Sequence, residues 1–533
     1  MGDTGHRTDA ASGGPPSGEP LARTPSGRGP ALQVPVREPP GQGPGSAVLL
    51  LAGLLVVGGT ATAGVVASLP DARPSATSRP SSTARPSVRS DEAAVPPALG
   101  PVEVAGRLLD QRARAARTGD VVAWTGVVAP EAVAFRVRQQ VALRRLRLLP
   151  ISSFRYEVIG ADAVPVPPSA GPSSRAGRTY LVHARLHYRL AKDSRDVLRE
   201  QYLTMVGRAG GWFLTGDADA RTQRALWDLG ELQVRAGRRC LVIGVGAVPA
   251  AQVAATADTA DAAAADVDMV WGTSGPRSAV IVVPSDRATL AAVLDRPDGD
   301  ALDQVAAITS GEVGPGDGTG RPQAAGAGSA GGAVADRVIV NPGAFDRLTD
   351  VGRRVVLTHE LTHVATRATA RIPPPLWVEE GFANYVAYHR WPSLDPKKIA
   401  EDTLRRVQLG AASSGLPAAE DFDPSRSSIA AAYADAWLAF RLMARTGRSE
   451  DPRVAVAFYR VAAGLPVTGA PSPGGPAVEG STAAGQAAAG QTAGSPAAGD
   501  PDAALRSAFR LVLGTTRSAF EARWRGYRAG LAR

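Results

Sequence analysis

Hydrophobic and polar positions fall along this chain in blocks whose periods predict different structures. Residues 1–45 hold Gly, Pro, Ser and Arg with almost no apolar periodicity, a composition too poor in buriable side chains to offset the entropy of ordering, so a disordered tail is expected. Residues 46–69 carry no charge; as a helix they would extend about 36 Å, enough to cross a hydrocarbon core of about 30 Å. A Pro/Ser/Thr-rich linker follows over 70–99. From 100 onward the pattern becomes that of a folded chain. Helical spacing covers 104–117 and 130–149, and strand-like runs follow at 154–159, 180–190, 198–206 and 212–214. In the second run Tyr180, Val182, Ala184, Leu186, Tyr188 and Leu190 alternate with polar partners, the period of a half-buried strand. Helices followed by antiparallel strands predict a small α+β domain over 100–218.

The remainder, 219–533, is expected to form a second domain. A polar helix is expected around 220–236, and short apolar runs at 239–245, 278–284 and 337–341 read as buried strands. Gly/Ala-rich insertions over 310–335 and 464–501 read as low-complexity surface loops. Gly244-Val245-Gly246 mimics the start of a dinucleotide-binding turn, but it lacks the third glycine and Pro249 falls where the next helix should begin, so that reading is rejected. A helix is expected over 350–368 with Leu357, Leu361, Val364 and Ala368 as its core stripe. Pro373-Pro374-Pro375 then ends one element before a second helix starts at Trp377.

Composition narrows the function classes. Net charge is +9 with a pI near 10.1, yet the arginines are scattered and no dense basic run with interleaved aromatics occurs, so no nucleic-acid partner is expected. Cys240 is the only cysteine, which excludes an intramolecular disulfide and a Cys-ligated metal site and leaves a small core residue. The apolar 46–69 segment reads as a single membrane anchor, with Ala61-Thr62-Ala63 offering the alternative of a cleaved signal. Arg7, Arg23, Arg28 and Arg37 precede it and Arg73, Arg79, Arg85 and Arg89 follow it, so flanking charge does not orient it. The stalk-like linker favours the folded region lying outside the cytoplasm. His183 and His187 share the polar face of one strand with Arg185 and Arg189 and read as a solvated face.

The chemistry concentrates in His359-Glu360-Leu361-Thr362-His363. Residues four apart on a helix share a face, so the two imidazoles can bind one tetrahedral zinc. Glu360 stands beside the first ligand, where its carboxylate can act as general base toward a water that zinc has made acidic. A third ligand is needed, and two adjacent glutamates compete for the place. Helix phase favours Glu380, which shares a face with Ala383, Asn384 and Ala387, over Glu379, about 100° round the axis. Asn384, one turn on, is placed to accept a hydrogen bond from a ligand histidine. His389 lies nearly opposite Glu380 and is a poor ligand candidate.

HELTH followed by WVEEGFANY resembles the gluzincin zinc metallopeptidases, in particular the peptidase-MA-like families and the catalytic lobe of zinc aminopeptidases and thermolysin-like peptidases. The resemblance implies Glu380 as third zinc ligand. It also implies that Tyr433, in AAYADAWLAFRLMARTG, donates a hydrogen bond to the tetrahedral intermediate; the alternative for Tyr433 is a tyrosine that packs helices. The families imply a mixed sheet whose edge strand holds an extended substrate, and C-terminal helices that close the cleft. Sixteen residues separate His363 from Glu380, slightly fewer than is usual there, so the loop between them must be tighter. The amine-gripping Gly-x-Met-Glu-Asn segment of zinc aminopeptidases is absent, since Met1, Met205, Met269 and Met443 stand in no such context. The 100–218 region resembles the NTF2-like domains.

The expectation is thus an α+β protein: a single transmembrane helix, an NTF2-like α+β domain and a gluzincin-like domain of mixed sheet, active-site helices and C-terminal helices. Its expected activity is hydrolysis of a peptide or protein substrate with one Zn2+ bound by His359, His363 and Glu380. The alternatives are a catalytically inactive peptidase fold serving as a binding module, and an envelope scaffold.

Overall fold

The computed structural model describes residues 99–164, 178–273, 278–295, 306–311, 335–423, 426–446, 449–467 and 500–533. The expected tail, membrane anchor and linker lie outside these residues, as do most of both low-complexity insertions. Among the described residues no helix is long and apolar enough to cross a membrane. The protein is a mixed α+β structure with two main sheets.

The first region opens with α1 (Pro101–Thr118), α2 (Val121–Gly126) and α3 (Val133–Leu146). α1 ends at Gly119, whose φ of +69° is the left-handed cap that glycine adopts without strain. Asp120 then caps α2 by accepting from the N–H of Ala123. Four antiparallel strands follow in sequential order: β1 (Ile151–Ala163), β2 (Thr179–Leu190), β3 (Val197–Arg208) and β4 (Gly211–Gly216). Val182, Ala184, Leu186, Tyr188 and Leu190 on β2 are buried, as their alternation predicts. On the other face His183 bonds Glu200 at 2.7 Å and His187 bonds Glu157 at 3.0 Å. The expected solvated face is therefore a ladder of hydrogen-bonded polar side chains, and Arg155 and Glu157 of β1 close over His187 until it is 8% exposed.

The expected polar helix over 220–236 does not form. Gln223 and Thr222 instead bond the backbone of β3, at Glu200 N (3.0 Å) and Tyr202 N (3.1 Å), so the segment runs beside that strand. Only a short α4 (Leu226–Leu229) remains helical, and β5 (Leu232–Ala236) pairs antiparallel with β6 (Cys240–Val245). A helix absent from the sequence reading, α5 (Ala250–Trp271), crosses over to β7 (Ala279–Pro284), which lies parallel to β6. Pro249 stands at its N-cap in an extended conformation, a position where the missing N–H has no cost, so the proline starts this helix rather than barring it. A short α6 (Arg287–Val293) leads to β8 (Ala307–Gly311), whose last two residues fall inside the expected 310–335 loop, and β9 (Asp336–Val340) completes the sheet. Its order is β5-β6-β7-β9-β8, with parallel β6, β7 and β9 and antiparallel edges.

Both faces of this sheet are covered, which explains its continuous apolar strands. Val242, Ile281, Val283 and Val338 join one core with the helices that follow in sequence. Leu241, Ile243, Val280, Val282 and Ile339 join another with Leu186, Tyr188, Leu190 and Trp227 from the first region and its connection. The helical side comprises α7 (Pro342–Phe345), α8 (Asp350–Arg367), α9 (Leu376–His389), α10 (Pro396–Ile399), α11 (Glu401–Gln408) and α12 (Ile429–Ala444). After the small β10–β11 hairpin (Arg445–Thr446, Ser449–Glu450) come α13 (Pro452–Ala462), α14 (Pro501–Leu513) and α15 (Arg517–Ala532).

Candidate metal centre

α8 is built to be buried on most sides. Thr349 caps it by accepting from the N–H of Gly352, with Asp350 in the first turn and Arg367 in the last, each complementing the helix dipole. Thr358, Thr362 and Thr366 form an inward stripe, each 1% exposed. Their hydroxyls donate to the carbonyls of Arg354 (2.8 Å), Thr358 (2.7 Å) and Thr362 (2.8 Å), so this polar stripe is satisfied within the helix itself. Of the expected apolar stripe, Leu357, Leu361 and Val364 are buried. Ala368 is the half-buried residue after the helix. α9 begins after Pro375 and packs against α8 and α12.

The packing of α8 on α9 brings His359, His363 and Glu380 together in the interior, at 1%, 1% and 0% exposure. His363 Nε2 lies 3.1 Å from His359 Nε2, and Glu380 Oε2 lies 3.1 Å from His359 Nε2 and 3.5 Å from His363 Nε2. The three edges of this triangle match a tetrahedral zinc site, in which donors about 2.0–2.1 Å from the ion stand about 3.4 Å apart. Neither oxygen of Glu380 receives a hydrogen bond of proper geometry. A buried carboxylate in that condition could serve as a metal ligand.

Asn384 sits behind this group. Its Oδ1 lies 2.9 Å from His359 Nδ1, and its Nδ2 donates to the Tyr433 carbonyl at 3.5 Å. The carbonyl can only accept, which assigns the amide orientation; Oδ1 must then accept a proton from Nδ1, so Nε2 is the nitrogen that faces Glu380. Burial opposes ionisation of Glu380, but His363 and His359 outweigh it and hold the carboxyl at about 2. Burial pushes His363 down to about 4. For His359 burial acts in the same direction, and Glu380 and Glu360 overcome it and draw the imidazole up. One carboxylate beside two imidazoles makes a group that could hold a metal ion.

Glu360 is wholly buried, and burial pushes its carboxyl up to about 7 against the pull of His359 and Thr309. Its Oε2 accepts from Thr309 Oγ1 at 2.6 Å, whereas Oε1 has no partner. Sequence reasoning missed Thr309, on a strand it did not see. Tyr433, in the second turn of α12, is 2% exposed; its ring lies 6.4 Å from that of His359 and packs edge-on against Phe422 at 5.2 Å. Glu379, the competing glutamate, is half-buried outside the triangle, and burial pushes its carboxyl up to about 7 against the pull of Arg367. His389 lies half-buried at the far end of α9 against Tyr385. Comparisons with protein-family models, curated proteins and solved structures returned no match.

Proposed function

We propose that the chain is a zinc-dependent peptidase of the gluzincin type, with His359, His363 and Glu380 as metal ligands and Glu360 as general base. The observation that carries the reading is the convergence of those three donors at tetrahedral spacing with an unpartnered carboxylate oxygen, Glu360 Oε1, on the helix that carries the two histidines. Bound zinc would supply Lewis acidity toward a carbonyl and toward water. Asn384 holds His359 in the tautomer that presents Nε2. Glu360 Oε1 accepts a proton while Oε2 stays anchored to Thr309. Tyr433 is the proposed donor to the oxyanion, from the α12 face of the site. The edge position of β8 suits an extended peptide. Within this reading 46–69 anchors the chain in a membrane with the catalytic region outside the cytoplasm, and the first region is an NTF2-like domain.

One observation favours the second reading, an inactive peptidase fold that serves as a binding module or scaffold. Glu360 and Glu380 are completely enclosed, and structural zinc sites are closed where catalytic ones keep a position open. Glu360→Gln separates the two readings. The peptidase reading expects zinc binding retained and peptide hydrolysis abolished; equal hydrolysis by variant and wild type refutes it.

A further inference from the structure

Resting on the reading of Glu360 as base, we propose that Thr309 is its positioning residue. Thr309 Oγ1 lies 2.6 Å from Glu360 Oε2 and 3.1 Å from the backbone carbonyl oxygen of the same residue. A hydroxyl carries one proton, and the shorter distance to the more negative oxygen assigns it to the carboxylate. Both side chains are buried, at 1% and 0% exposure. Because Oε2 is engaged and Oε1 is not, the hydroxyl divides the carboxylate into an anchored oxygen and one left to take a proton.

An anchor is useful only if it is itself fixed. Thr309 opposes Val338 in the antiparallel ladder of β8 and β9. Its carbonyl accepts from Arg367 Nη1 at 3.3 Å, and that guanidinium stands 3.8 Å from Asp336, which opposes Gly311 in the same ladder. Glu360 and Arg367, two turns apart on α8, thus grip one strand residue by its side chain and by its main chain. A slip of one residue in β8 would turn the hydroxyl to the opposite face of the sheet. The strand proposed to hold the substrate therefore also sets the direction in which the base points, so one register serves both.

A hydroxyl that only satisfied a buried carboxylate would matter to stability and not to turnover, so the test reads both. Full-length wild type, Thr309→Val, Thr309→Ser and Glu360→Gln are compared for zinc per chain, thermal unfolding, and kcat and KM on a pool of quenched fluorescent peptides. Valine keeps the shape and removes the hydroxyl; serine keeps the hydroxyl. Thr309→Val is expected to bind one zinc and to lose about 100-fold in kcat with KM changed little, and Thr309→Ser to recover most of the loss. Wild-type kcat in Thr309→Val overturns the proposal, as does loss of folding or of zinc in that variant, or a serine variant as slow as the valine one. A zinc-loaded wild type that cleaves no peptide sinks the peptidase reading and this inference together, whereas an active wild type beside an equally active Thr309→Val sinks this inference alone.

Discussion

Asn384 decides which nitrogen of His359 faces Glu380, and it does so through a single amide whose two ends are each committed, Oδ1 to the imidazole and Nδ2 to the Tyr433 carbonyl. Removing it leaves the ligand set complete but free to turn. Asn384→Ala is expected to weaken zinc binding about 10–100-fold with the fold intact, measured by competition with a chromophoric chelator; unchanged affinity contradicts the assignment. The meeting of His359, His363, Glu380 and Asn384 was legible in sequence because residues four apart on a helix share a face, and Glu360 adjoins the first histidine. Thr309 was not, since its contact with Glu360 spans 51 residues and its strand runs into a Gly/Ala-rich stretch.

Gly381 shows how elements are brought to the site. A Cβ there would stand 2.6 Å from the Ala436 carbonyl oxygen and 2.8 Å from Phe440 Cδ2, so α9 and α12 meet backbone to backbone at this point. That approach seats Tyr433 beside His359. Gly381→Ala is expected to destabilise the chain by about 1–3 kcal/mol through overpacking, read as a lowered midpoint in urea unfolding; an unchanged midpoint contradicts the close approach. Strongly periodic elements such as α1, β2 and α8 were readable from spacing. α5 was not, because its alanines lie on every face and offer little contrast between core and solvent. Over 220–236 the polar residues that suggested an exposed helix are partners for the free side of β3.

At the scale of the molecule, the two regions share a core across the face of the five-stranded sheet, and a buried ion pair crosses it. Arg337 of β9 meets Asp193 at 3.0 and 2.7 Å and donates to Tyr188 Oη at 2.9 Å, with both charged side chains wholly buried. Truncating one partner leaves an uncompensated buried charge. Arg337→Met is therefore expected to cost about 3–5 kcal/mol, measured by denaturant unfolding; a loss below about 1 kcal/mol would place the pair among weak surface bridges instead. The apolar runs of β6, β7 and β9 indicated strands covered twice, but nothing in their residues said what covers them, so the boundary drawn at 218 concealed a shared core.

The proposal that Glu360 acts on substrate while His359, His363 and Glu380 hold the metal is tested by the zinc content and peptide turnover of Glu360→Gln beside wild type. One zinc per chain is expected in both, with turnover in the variant reduced by about 10²–10⁴-fold or more. Equal turnover in the two proteins, with zinc bound in both, would contradict it.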